Sequence, residues 1–196
     1  MIRPAVLVAG VACAALLMLA GCSSGDSVHP GAVPSSAGGS GATTPAADSR
    51  PRSADGAVLL ASGEQADLTL PDGRTATGHI RVASVAVDPG CDNPAAQPAR
   101  NGHYVIATVH AEATAALGRA TPPVLPLAWA LWTIRGADGA VVPGAAAILC
   151  TTDLFDATLS PGQSASGTVA FDVAATSGTV GIAVPGTTAS FEWPFG

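Results

Sequence analysis

The sequence predicts an all-β fold: a two-sheet antiparallel sandwich of seven or eight strands filling residues 58–196. Three observations carry that expectation. Several segments alternate apolar and polar residues at period two, the mark of a strand with one buried face. These segments recur at regular spacing between Gly/Pro turns, with few helix signals among them. All eight aromatic residues lie after residue 100, so the mass able to form a core sits in the C-terminal part of the chain. A stretch of 139 residues is long enough to bury a core of its own.

The elements follow in chain order. Residues 1–21 carry one cation, Arg3, then an apolar run of Ala, Val, Leu, Cys and Met, then small residues before Cys22. That is the layout of a secretory signal peptide, and the run is short for a bilayer core of ~30 Å. Residues 22–57 are rich in Ser, Gly, Ala, Thr and Pro and hold no aromatic residue, which predicts a disordered tether.

The first strand with a clear pattern is 79–87. Its apolar parity switches between Val82 and Val85, which calls for a bulge near Ala83-Ser84. In 102–114, Val105, Ala107, Val109 and Ala111 share one face. Residues 111–119 allow a turn or two of helix before Pro122, Pro123 and Pro126 stop it. Residues 128–135 lead through Gly136-Ala137-Asp138-Gly139 into Val141-Val142, a hairpin signal. Ser160-Pro161-Gly162-Gln163 is a second turn. Three further strands follow: 166–173 with Val169, Phe171 and Val173 inward, then Val180/Ile182/Val184, then Phe191/Trp193/Phe195. In the last of these Pro194 marks an edge or a strand end.

Charge and cysteine usage narrow the function. The net charge is −6 and the chain has no lysine, which disfavours nucleic acid, whose binding needs clustered cations to displace counterions. The abundance of Ala and Gly with arginine as the sole strong base points to a high-GC genome of the actinobacterial kind. Of four cysteines, Cys13 belongs to the signal peptide. Cys91 and Cys150 form an even pair in an exported domain, which reads as one disulfide. On the chain-entropy model a loop of that length contributes ~4 kcal/mol. A metal site or a reactive thiol is the other reading, and no second cysteine lies near either one as a C-x-x-C site requires.

Chemical constellations are sparse. His103 and His110 are seven apart on one expected strand and so face opposite ways. His79 and His103 alone are too few for zinc, so no metal and no cofactor is expected. Gly162-Gln163-Ser164-Ala165-Ser166 departs from the Gly-x-Ser-x-Gly nucleophile elbow at its last position. Asp153 and Asp156 flank Leu154-Phe155 and read as solvated loop acids rather than a catalytic pair. No catalytic residue is expected. One block stands out: Leu125, Leu127, Trp129, Leu131, Trp132 and Ile134 put large apolar groups on both parities. Either this strand is central and covered, or a loop or short helix covers it, or its second face meets a ligand or partner. Leu125, Leu127, Trp129 and Trp132 are the candidate apolar binding surface.

Two resemblances add to this. Leu19-Ala20-Gly21-Cys22 resembles the lipobox of bacterial lipoproteins, and the resemblance implies that Cys22 carries a diacylglyceryl group and becomes residue one. Two or more acyl chains anchor a protein essentially permanently. Further on, Gly-His-Tyr-Val-Ile-Ala-Thr-Val-His (102–110), Trp-Thr-Ile-Arg-Gly-Ala-Asp-Gly (132–139) and Leu-Ser-Pro-Gly-Gln-Ser-Ala-Ser-Gly-Thr-Val-Ala-Phe-Asp-Val (159–173) are similar to the immunoglobulin-like extracellular domains of unknown function in actinobacterial and other Gram-positive lipoproteins. The secreted immunoprotective antigen family of mycobacteria has a similar sandwich. The resemblance implies an immunoglobulin-like β-sandwich without known catalytic residues. The expectation is a lipoprotein on the extracytoplasmic face of the cell membrane, held through the Cys22 lipid. It presents a non-catalytic binding or adhesion module to an envelope protein. Carriage of an apolar envelope ligand is the alternative, and an envelope hydrolase a more distant one.

Overall fold

A computed structural model describes residues 49–143 and 145–196. The signal peptide, Cys22 and most of the expected tether lie outside the described residues. The described residues belong to one compact unit.

The architecture is the expected antiparallel sandwich. One sheet is built from β2 (Gln65–Thr69), β3 (Ala76–Val87), β4 (His103–Ala113) and β8 (Ser164–Val173), paired in that order. The other runs in the order β1 (Val58–Leu59), β10 (Ser190–Phe195), β9 (Gly178–Ala183) and β6 (Trp132–Gly136). A short ribbon of β5 (Leu125–Leu127) and β7 (Ala157–Leu159) is added to these two four-stranded sheets. All pairs are antiparallel except β1 with β10, which runs parallel over Val58 and Leu59.

The alternation expected for each strand is what builds the core. Val105, Ala107, Val109 and Ala111 of β4 and Val169, Phe171 and Val173 of β8 face Val180, Ile182, Phe191 and Trp193 across the interior, and all are buried. Trp132 meets Phe155 edge-on at 6.1 Å between centroids and lies tilted against Trp193 at the same separation. Such aromatic pairs add specific geometry to a large buried area. The parity switch in β3 is a bulge: the register with β4 jumps between Val82 and Ser84. The Asp-Gly hairpin is present, with Gly136 N–H donating to Ala140 O, Val142 N–H to Ile134 O, and Gly139 at φ 79°. Pro194 sits where β10 has lost its β1 neighbour, which pairs only with Phe191 and Glu192, so that edge needs no donor there.

Two expectations are corrected. The folded part begins before Val58. Residues 51–57 turn back on β1: Leu59 N–H donates to Pro51 O, Ser53 N–H to Ala57 O, and Gly56 N–H to Ser53 O. Asp55 also pairs with Arg135. Arg135 lies beside the buried carboxylate of Glu192, with Nε 3.2 Å from Oε1, a charge contact whose angle falls short of a hydrogen bond. Thr179 donates its hydroxyl to Glu192 at 2.9 Å, and Ser53 lies at 3.4 Å. A buried carboxylate has to be paired or hydrogen-bonded. Composition marked these residues as tether because it does not show that Ser53 and Asp55 serve that carboxylate and its arginine.

The second correction concerns the apolar block. Leu125, Leu127 and Trp132 are buried, at 2%, 0% and 5% exposure, and only Trp129 reaches the surface, at 36%. The block is not one strand. A 3₁₀ helix, Trp129–Leu131, breaks it into β5 and β6, which join different sheets. The change of sheet resets the parity, so both sets of side chains point into the core.

Candidate functional site

The sandwich has two unlike ends, and β4 runs from one to the other, a length on the order of 35 Å for 11 residues.

The first end gathers the start of β4, the end of β8 and two long loops, 88–102 and 145–156. Cys91 and Cys150 join the loops through a disulfide with Cα atoms 4.7 Å apart, inside the 4.4–6.8 Å range expected for the bond. Around it the chain is heavily tied. Asp88, at φ 52°, accepts Tyr104 N–H at 2.8 Å and meets His103 Nδ1 at 2.6 Å. These two bonds hold its carboxyl below the usual carboxylate range. Asp92 accepts Thr152 N–H at 2.8 Å across the disulfide. The Asp172 carboxylate accepts the N–H groups of Arg100 and Asn101, each at 2.8 Å. Tyr104 donates its hydroxyl to Gln97 O at 2.6 Å.

The 145–156 loop lies along the outer edge of β8. Ala147 N–H donates to Ala170 O, Asp172 N–H to Ala145 O, Phe155 N–H to Thr168 O and Thr168 N–H to Asp153 O. It thereby covers an edge that would otherwise offer a row of free backbone groups. It also buries Ala170, which strand parity alone places outward.

A cleft of about 350 Å³ opens between the two loops, walled by Tyr104, Gln97 and Arg100 on one side and Ile148 and Leu149 on the other. Ile148 and Leu149 are 44% and 59% exposed. Trp129 shares a shallow recess with Ile148 and Leu154. The held loop thus shows two adjacent aliphatic side chains to water.

The other end gathers the start of β3, the end of β4, the 114–126 crossover and the turn between β9 and β10. It contains an apolar cavity of about 500 Å³. Leu117 and Leu125, each 2% exposed, line it.

The three histidines among the described residues stay apart. His79 meets Asp67 at 2.8 Å and Gln65 at 3.0 Å, His103 meets Asp88, and His110 meets Ser166 at 2.8 Å. Among the described residues no three His, Cys, Asp or Glu side chains converge as a metal site. Asp156 accepts Trp129 N–H at 3.3 Å, while the Asp153 side chain does not join it.

Sequence reasoning missed Ile148 and Leu149 as surface residues. A signal was present: two large aliphatic residues in succession cannot both point into one core from a strand, and Ile148-Leu149 directly precedes the bridging cysteine.

Among the described residues no helix is long and apolar enough to cross a membrane. No family model matches the chain. No curated protein matches it either. Partial structural likeness is found to MPT63, a secreted protein from Mycobacterium tuberculosis, at 20% identity and a TM-score of 0.46, covering 69% of this chain and 97% of that one. It is also found to a lipoprotein candidate, ycdA, from Bacillus subtilis, at 10% identity and a TM-score of 0.39. There the match covers 68% of this chain and spans 38% of the other.

Proposed function

We propose that this chain is a non-catalytic extracytoplasmic binding module, held at the membrane by a lipid on Cys22, that docks an envelope protein on its disulfide end. The observation that carries the docking reading is the exposure of Ile148 and Leu149 on a loop tied by the disulfide and four edge hydrogen bonds. Ordering a loop is one of the costs of association, and here the native fold has already met it. The cleft beside the pair offers an aromatic wall, Tyr104, and the Arg100 cation, with the Asp172 carboxylate already engaged by the backbone N–H groups of Arg100 and Asn101. The partner surface that fits is an apolar side chain with an acidic neighbour.

The test uses the full chain in intact cells, with a photo-crosslinking residue at position 149 and, as control, at Asp138 on the hairpin. A discrete adduct at 149, absent at 138 and lost in Ile148→Asp, is the expected result. No adduct at 149, or turnover of a cell-wall substrate by the purified protein, overturns it. In the same cells Cys22→Ala is expected to accumulate as uncleaved precursor or to leave the membrane fraction. Unchanged mass and membrane retention would show that Cys22 carries no lipid.

A further inference from the structure

We infer that the cavity at the end opposite the disulfide is a binding site for a small, uncharged, apolar molecule such as a medium-length alkyl alcohol. This inference is independent of the docking face.

The walls decide the chemistry. Four of the lining residues are prolines: Pro71, Pro122, Pro126 and Pro185. Proline has no backbone N–H and a fixed φ, so this wall donates few hydrogen bonds and loses little entropy when a ligand settles against it. Leu117 and Leu125 supply buried aliphatic surface. No Asp, Glu, Arg or His lines the cavity. Of its three threonines, Thr77 donates its hydroxyl to Leu68 O at 3.0 Å and Thr187 donates to Val184 O at 2.7 Å. Both donors are thus spent inside the protein. A charged head group entering here would lose its hydration and meet no opposite charge. An uncharged chain pays no such cost and buries its surface.

Size and shape decide between a small molecule and a larger partner. About 500 Å³ lies within the ~300–1,000 Å³ typical of small-molecule sites. Among the lining residues Val124 is the one large apolar side chain that is exposed, at 37%. Pro71, Pro122 and Pro185 are the other exposed apolar lining residues, and the rim holds no aromatic or long aliphatic side chain to anchor a protein partner or enter a membrane. The chain's net charge of −6 further disfavours an anionic lipid surface.

Leu125 is kept at the wall by backbone geometry. A Cβ on Gly78 would lie 2.6 Å from Leu125 Cδ2 and 2.8 Å from Glu112 O, so glycine there makes room for the leucine side chain.

The full chain in phosphatidylcholine nanodiscs is photolabelled with dodecan-1-ol bearing a terminal diazirine, and the adducts are mapped by peptide mass. The expected result is labelling confined to peptides holding residues 117–126 and 185–187. Dodecanoate bearing the same diazirine should label them at least about tenfold less, because its carboxylate meets no cation and two of the three lining hydroxyls are already spent. Val124→Trp, which fills the mouth, and Thr121→Arg, which charges the wall, should each abolish labelling at unchanged melting temperature. Leu149→Asp should leave it intact. Equal labelling by alcohol and carboxylate, adducts elsewhere, or labelling retained in both folded variants overturns the proposal. If a variant does not fold, the comparison of alcohol and carboxylate on the unaltered chain still decides. A diazirine-bearing phosphatidylcholine in the disc separates the sources: labelling of these peptides by the lipid and not by the alcohol would mean membrane contact and also overturns it.

Discussion

The two ends of this sandwich solve the same problem differently. At each end the chain must cross between strands without leaving backbone groups unpaired. The disulfide end does so with polar chemistry. Asp88, Asp92 and Asp172 each accept backbone N–H groups, and one covalent bond joins the loops. The proline end does so by omission, since a wall of four prolines has fewer donors to satisfy. One strategy leaves apolar side chains outside on a held loop, and the other leaves an apolar space inside. An exposed aliphatic pair at one end and an apolar hollow at the other are therefore the consequences of how each end pairs its backbone.

Three perturbations separate the ends, from the largest expected effect to the smallest. Reducing the disulfide, or replacing both cysteines with serine, should cost about 2–4 kcal/mol. The chain-entropy figure for a sequence separation of 59 is an upper value here, because Asp92 and Asp172 still hold the loops after reduction. Denaturant melts with and without reductant measure it, and hydrogen exchange should show the loss around 88–101 and 145–153, not around 117–126. Two labelled thiols per chain in the native exported protein would refute the bond itself.

Gly78→Ala acts at the opposite end. The added methyl meets a backbone carbonyl at 2.8 Å as well as Leu125, so relief needs strand movement and not just a rotamer change. Overpacking of that kind costs about 1–3 kcal/mol. The same variant should weaken alcohol labelling while crosslinking at position 149 is kept. Loss of both would show that the ends are coupled.

The smallest effect is a pH dependence. The Asp88 carboxyl is lowered from its ordinary value of 3.8 by His103 and by Tyr104 N–H. A lowered folded value stabilises the native state fully above the ordinary value, and the contribution is lost as pH falls through the folded value. Exchange protection at Tyr104 should therefore hold steady from neutral pH down to about 4 and fall below it. Asp88→Asn should flatten that acidic fall. An unchanged profile would show that the carboxyl does not hold the loop.

How far the sequence reaches differs along the chain. In β4, β8 and β9 the inward residues are legible because each side chain needs only its own parity, and parity is a local property. The β3 bulge is legible for the same reason: the pattern breaks where the register does. The block at 125–134 misleads because two strands in different sheets adjoin there with a single 3₁₀ turn between them. Residues 51–57 mislead because their composition is that of a tether, while the carboxylate and arginine they serve, Glu192 and Arg135, lie far along the chain.

The sequence by itself determined the fold class, the long strands, both turns and the pairing of Cys91 with Cys150, since these follow from periodicity, local turn chemistry and a count of cysteines; the short strands β1, β2, β5 and β7, which bring the total to ten rather than seven or eight, carry too few residues to show a period. Only the tertiary structure decided which apolar residues outside those strands are core and which are surface. Leu125 and Trp132 are enclosed while Ile148 and Leu149 are bare, although all four are large and apolar. Burial depends on what arrives from elsewhere in the chain. The 145–156 loop reaches the β8 edge through its own backbone hydrogen bonds, and having spent its backbone there it turns Ile148 and Leu149 outward.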